Sequence, residues 1–184
     1  MAGPIRFSAG RDTYDNRPAQ LIVEDFGAFV EHIEAHRGTE KGLDYVCGPM
    51  SFGPHDDTKR YPCEANYRLA SHAEPCAFLS LDIDYIADAQ VQQMVLARAE
   101  CLSSYAYETA SSTPSTPRMR VIFALDRELG RAERIKLGCA VETDLKASIE
   151  AEFGQGTIKF DPSVYRPEQP NYNPTIGSKS WRFL

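Results

Sequence analysis

The chain has 184 residues, with 20 Lys and Arg against 26 Asp and Glu and a formal net charge of −6. Its 42% hydrophobic, 10% aromatic and 25% charged residues lie near the globular average, which excludes a disordered chain, a collagen and a disulfide-dense miniprotein. The acidic balance excludes a protein that coats nucleic acid through bulk charge, but not an enzyme that meets nucleic acid locally. A chain of this length hides roughly 70% of the surface its unfolded form exposes, so one domain over residues 1–184 is expected. No stretch approaches the roughly 18 apolar residues of a membrane helix, and Met1 to Gly10 lacks the pattern of a signal peptide. Five scattered cysteines without a CxxC fit free thiols in a reducing compartment. A soluble, cytoplasmic protein without a membrane partner is expected.

Ile5-Arg6-Phe7 opens as a short strand, followed by a polar stretch through Arg17-Pro18. From Glu24 to Arg37, the residues Phe26, Phe29, Val30 and Ile33 recur at helical spacing, and Gly38 can terminate that helix. Asp44 to Pro75 is rich in Pro, Gly, His and Asp. Beyond a strand candidate at Tyr45-Val46-Cys47 it reads as a long loop or weakly paired hairpin, and loops of that length are usually functional or poorly ordered.

Residues 1–76 thus form an N-terminal subregion with a long loop, and 77–184 hold the stronger motifs. Ala77 to Ile86 is the strongest strand, after which Asp88 caps a helix with Val91, Met94, Val95 and Leu102 as its buried stripe. Tyr105 to Thr109 is a strand candidate. A Ser/Thr/Pro turn from Ala110 to Pro117 leads into a strand from Arg118 to Leu125. Arg131 to Phe153 reads as a long helix with Ile135, Cys139, Leu145, Ile149 and Phe153 on one side, ending at Gly154. A short strand, Thr157 to Phe160, delivers Asp161-Pro162, and the Pro-rich segment to Pro174 reads as turns. Ser180 to Leu184 is a final strand. Alternating elements close enough to pair as hairpins predict an α+β fold, a mostly antiparallel sheet packed with helices.

Asp82 and Asp84 stand at i and i+2 on an extended strand, so both point to one face. Two adjacent carboxylates in an apolar strand repel and are costly to desolvate, which makes a divalent cation their natural partner. Ligands that are all oxygen suit Mg²⁺ or Mn²⁺. The plainer alternative is a strand end where both carboxylates reach water. Asp161 could join the same cluster, although on its own it reads as a turn former before Pro162. Two metals about 3.5–4 Å apart would activate a sugar hydroxyl and steady a leaving pyrophosphate. Between these carboxylates, the Ser111, Ser112 and Ser115 turn runs into Arg118 and Arg120, short donors and guanidinium forks of the kind a triphosphate needs. Residues 118–136 hold six cationic and three anionic side chains, +3 locally, against −9 for the remainder.

In order and spacing these parts resemble the archaeo-eukaryotic primase superfamily. The closest likeness is to the primase or primase-polymerase domains that open the replication proteins of plasmids, prophages and integrative elements. The matching pieces are Leu81-Asp82-Ile83-Asp84, the Ser/Thr turn into Arg118-Met119-Arg120-Val121-Ile122-Phe123, and Asp161-Pro162-Ser163. Arg166 to Pro174 is similar to those families' Arg/Gln/Tyr-Pro segment. The resemblance implies an RRM-like catalytic core and a nucleotidyltransferase that makes primers on single-stranded DNA from NTP or dNTP. It further implies metal ligation by Asp82, Asp84 and Asp161, and helicase or other replication-protein partners. Gln169 and Tyr172 would help shape the nucleotide or template pocket. The superfamily's second motif usually carries Ser-x-His. No His follows His72 here, so Ser111, Ser112, Ser115, Arg118 and Arg120 must substitute. With no room for a helicase, the chain is expected to be a small stand-alone primase or the N-terminal piece of a longer replication protein.

Cys47, His55, Cys63, His72 and Cys76 suggest a zinc element of the kind such primases often carry, but gaps of seven, seven, eight and three residues match no ordinary zinc module. Arg60, Tyr61, Tyr67 and Arg68 could stack on or clamp a template strand. Two other readings remain open, a glycosyltransferase using the DxD with Mn²⁺ and a non-catalytic primase-like module that binds an origin or a partner.

Overall fold

The computed structural model describes residues 3–51 and 68–184. In chain order the elements are β1 (Ile5–Asp12), β2 (Ala19–Val23), α1 (Phe26–Ala35), β3 (Leu43–Cys47), β4 (Cys76–Ile86), α2 (Ala89–Glu100) and β5 (Ser104–Glu108). They continue with β6 (Met119–Leu129), α3 (Arg131–Phe153), β7 (Ile158–Asp161), β8 (Asn171–Tyr172) and β9 (Ser180–Phe183). The strands form two sheets, β2-β1-β3-β8 and β7-β4-β6-β5-β9, and every pairing between named strands is antiparallel. This is the expected α+β architecture, with two sheets.

Period-two alternation in β4 and β6 builds two cores from the same strands. Leu79, Leu81 and Ile83 of β4 and Met119, Val121 and Phe123 of β6 face α2 and α3, meeting Val91, Val95, Leu145 and Ile149. On the opposite face Phe78, Tyr105, Tyr107 and Ile122 pack with Ile5 and Phe7 of β1, Val46 of β3 and the apolar stripe of α1. Phe29 is the hinge of that second core, its ring 4.9 Å from Phe7 and 4.8 Å from Phe78. Polar positions of the five-stranded sheet that continue this second face, Asp82 and Arg120 among them, therefore look toward the small sheet.

Asp25 and Asp88 cap α1 and α2, each accepting from backbone N–H groups of the first turn. Two helical stripes differ from expectation. Leu102 lies beyond α2 and is exposed, because the helix ends at Glu100. On α3 Cys139 is exposed, and the buried positions include Arg134 and Gly138. Arg134 is fully buried because it donates to three carbonyls, those of Phe78, Val164 and Tyr165. Charge marks an arginine as outward-facing in a sequence, whereas here it serves as an internal clamp between α3, β4 and the turn after β7. One turn along, Gly138 lets the Tyr165 ring lie against the helix. Ala19–Val23, which the polar reading of the first segment left unassigned, forms β2. The Pro-rich segment, expected as turns, contains β8. Two residues of β8 suffice because β3 supplies their ladder, Tyr45 opposite Tyr172 and Val46 opposite Asn171.

A polar cluster ties α1 to the C-terminal segment. Arg37 donates to the carbonyls of Thr175 and Ser178 and pairs with Glu34, which also accepts from Tyr105 and Ser180. Burial pushes the Glu34 carboxyl up, but the hydrogen bonds from Arg37, Tyr105 and Ser180 prevail and hold it at about 2. Among the described residues, no helix is long and apolar enough to cross a membrane.

Two stability predictions follow from these contacts. Because the folded-state pKa of Glu34 is depressed, its contribution is present above the ordinary 4.5 and lost as the pH falls toward about 2. Glu34→Gln should therefore flatten the pH dependence of unfolding free energy in that window, measured by urea denaturation at a series of pH values. Gly138→Ala gains about 1 kcal/mol of helix propensity but forces a Cβ into the Tyr165 ring, an overpacking cost of about 1–3 kcal/mol, so a net loss of stability is expected.

Candidate active site

The register of the five-stranded sheet places Asp161, Asp82, Arg120 and Tyr107 in one row across β7, β4, β6 and β5. Two carboxylates directly opposite one another would repel. Arg120, on the other side of Asp82, offsets this by pairing with Asp82 through Nη2, and the side chains of the pair are only 6% and 13% exposed. Its Nη1 donates to the Tyr172 carbonyl at 3.2 Å, and the Tyr107 hydroxyl donates to the same oxygen at 2.7 Å. Burial works against the Arg120 charge, yet Tyr107 and Asp82 outweigh it and hold the guanidinium above its ordinary pKa.

Asp84 stands where the ladder breaks. The β4–β7 register shifts between Ile83 and Tyr85, and the β4–β6 pairing stops at Ile83–Met119, so Asp84 has no cross-strand partner and reaches the sheet's open end. Its carboxyl is pushed above the usual range by burial, then by Asp82 and Asp161, against the pull of Arg118 and Arg120. Asp161 ends β7 and also caps the turn Pro162–Tyr165. Its two oxygens accept from Ser163 N at 2.8 Å and Ser163 Oγ at 2.7 Å, so it is both a turn former and a cavity residue.

Asp82, Asp84, Asp161, Ser111, Arg118, Arg120, Gln169 and Tyr172 line one cavity of about 300 Å³ beside β8. That volume is at the lower end of the range for small-molecule sites. Ser112 and Ser115 lie apart from it. Ser112 Oγ accepts from the Arg118 backbone N–H at 3.1 Å, and Ser115 Oγ lies 3.2 Å from Thr113 Oγ1 in the tip of the β5–β6 turn. Lys41, Thr109, Ser163 and Asn173 also line the cavity, although the sequence pattern named none of them as a site residue. Ser163 follows from Asp161 by adjacency, whereas Lys41 belongs to a turn whose approach to the site is set by tertiary structure alone.

The local +3 of residues 118–136 is mostly engaged rather than a free basic surface. Arg134 is internal, Arg131 pairs with Glu168 at 2.7 Å and Arg127 with Glu133 at 3.1 Å, while Lys136 is exposed and Arg118 and Arg120 line the cavity. Among the described residues, no three His, Cys, Asp or Glu side chains converge as a metal cluster. The donor chemistry nevertheless fits a hard divalent cation, since three carboxylates line one cavity and two of them raise the third. Of the zinc candidates, His55 and Cys63 lie outside the described residues, as do Arg60, Tyr61 and Tyr67. Cys47, Cys76 and His72 are buried, and burial pushes the Cys47 thiol up to about 12. Arg68 stacks 5.3 Å from the Tyr45 ring centroid.

The raised Asp84 pKa means that its stabilising contribution is complete below the ordinary 3.8 and lost as the pH rises through the raised value. Asp84→Asn should therefore melt above the wild type at neutral pH without metal. Mn²⁺ should raise the melting temperature of the wild type and leave the variant unmoved, a contrast measured by differential scanning fluorimetry. Comparison of the chain with protein-family models, curated proteins and solved structures finds no match.

Proposed function

We propose that the chain is a metal-dependent, template-directed nucleotidyltransferase of the primase or primase-polymerase type, joining NTP or dNTP on single-stranded DNA. The observation that carries this reading is the gathering of Asp82, Asp84 and Asp161 with Ser111, Arg118, Gln169 and Tyr172 in one cavity, from four separate stretches of the chain. The element order β4-α2-β5-β6-α3-β7 with strand order β7-β4-β6-β5 supports an RRM-like core of the β-α-β-β-α-β kind.

Asp82, Asp84 and Asp161 would hold one or two Mg²⁺ or Mn²⁺ ions, which when bound supply Lewis acidity at the α-phosphate and lower the pKa of the attacking 3′-hydroxyl. Arg118 and Ser111 would orient the phosphates, while Arg120 would fix the Asp82 carboxylate and the β8 backbone. Gln169 and Tyr172 would shape the wall against sugar or base. With a net charge of −6, the chain would hold template weakly and lose it steeply with salt, so a helicase or another replication domain is the fitting partner. One observation favours the non-catalytic alternative, a primase-like module that binds an origin or partner. Asp82 is tied to Arg120 and both oxygens of Asp161 to Ser163, engagements that a purely structural row would also show.

Incubating the purified chain with single-stranded DNA, Mn²⁺ and labelled NTP or dNTP should yield primers and pyrophosphate. Asp84→Ala should lower the rate about a hundredfold or more, roughly 3 kcal/mol of barrier, and Asp82→Ala, which also strands Arg120, should do so in protein that circular dichroism shows to be folded. Release of a nucleoside diphosphate instead would point to glycosyl transfer. Origin binding indifferent to Mg²⁺ and to all three aspartates would point to the binding module.

A further inference from the structure

Arg118 and Arg120 stand two apart on one strand and look like a pair of phosphate ligands, but only one of them is free for that role. Arg120 is 6% exposed and engaged by Asp82 and the Tyr172 carbonyl, so an incoming phosphate would have to break a buried ion pair to reach it. A polyphosphate at this cavity therefore needs a second cation from elsewhere.

The turn between α1 and β3 supplies one. Lys41 lines the cavity, is exposed, and its side chain has no hydrogen bond or ion pair among the described residues. Its backbone is held against the site's own wall. Gly42 and Asp44 take left-handed conformations, at φ 87° and 46°, which turn the chain back at this point. Asp44 O accepts from Asn173 N at 2.8 Å, and Gly38 N donates to Pro174 O at 3.1 Å. Thr13 Oγ1 accepts from the Tyr172 hydroxyl at 3.2 Å and lies 3.5 Å from Gly42 O. Residues 172–174 thus fix both the cavity wall and the turn that carries Lys41. A Cβ at Gly42 would stand 2.9 Å from Thr13 Oγ1, which leaves little slack in that arrangement.

We infer that Lys41 is the second cation of a polyphosphate subsite, working with Arg118 and the hydroxyls of Thr109 and Ser111 to hold the β- and γ-phosphates of a nucleoside triphosphate. This rests on reading the cavity as a nucleotide site. Lysine suits the task as a compact point charge with rotatable donors, complementing the planar fork of Arg118. The same phosphate chemistry occurs in a nucleic-acid backbone. The polyphosphate is favoured because Lys41 and Arg118 line the same cavity as the three aspartates, whose carboxylates would hold the divalent cation that a triphosphate chelates.

The test is calorimetric titration of the full chain with inorganic tripolyphosphate, with and without Mg²⁺, alongside fluorescence anisotropy with a single-stranded oligonucleotide. Lys41→Gln should weaken tripolyphosphate binding about tenfold, the loss of one charge-assisted contact. Lys41→Arg should restore most of it, and the exposed control Lys146→Gln should bind as the wild type does. Circular dichroism checks that every variant is folded. Wild-type-like tripolyphosphate binding by Lys41→Gln, absence of binding by the wild type in both conditions, or a loss confined to the oligonucleotide would overturn the inference. Lys41-dependent tripolyphosphate binding in a chain that makes no primers would uphold the subsite while removing the polymerising function.

Discussion

Asp82 and Arg120 meet at the centre of the five-stranded sheet, and the rest of the site is arranged around that ion pair. Among the described residues its two strands make the most extensive pairing, and the same guanidinium reaches across to the Tyr172 carbonyl on the edge of the small sheet. One arginine thereby neutralises a carboxylate that faces another carboxylate, and fastens the two sheets where the cavity opens. Removing either partner would strand a buried charge, at a cost of about 3–5 kcal/mol. The pair is thus a structural condition for a cluster of aspartates in this position, whatever those aspartates bind.

A second set of contacts, along α3, positions the remaining acid. Arg134 clamps the carbonyls of the turn after β7, Gly138 receives Tyr165, and the Tyr165 hydroxyl donates to Glu142 at 2.7 Å. These three helix residues are spaced four apart and lie on one stripe, so the helix grips the turn that begins at Asp161. Arg131, one turn earlier, holds Glu168 next to Gln169. In a stretch that looks basic when its charges are counted, Arg134 and Arg131 thus serve as scaffolding for the turn and for the Gln169 wall of the cavity.

Much of this was legible because local rules dominate it. The i, i+2 spacing of Asp82 and Asp84, the Asp88 cap and the full extent of α3 all follow from backbone periodicity and side-chain chemistry. The cavity also gathers Asp161, Ser111, Arg118, Gln169 and Tyr172, while Ser112 and Ser115 lie apart from it. What escaped the sequence depends on distant partners. Strand β8 exists because β3 offers it a ladder, and Arg134 is buried because three carbonyls await it. Arg120 is withdrawn from ligands because Asp82 lies opposite, and Lys41 reaches the site through the 172–174 wall. Spacing along a strand shows which side chains share a face. It does not show which of them are already engaged by a neighbour.

The measurement that bears most directly on this account is Mn²⁺ anomalous diffraction from crystals of the chain grown with a non-hydrolysable nucleoside triphosphate. The account predicts anomalous density among Asp82, Asp84 and Asp161, with the Asp82–Arg120 pair intact and the triphosphate lying along Arg118. Density elsewhere, no density at saturating Mn²⁺, or Arg120 released from Asp82 to take the phosphates would contradict it.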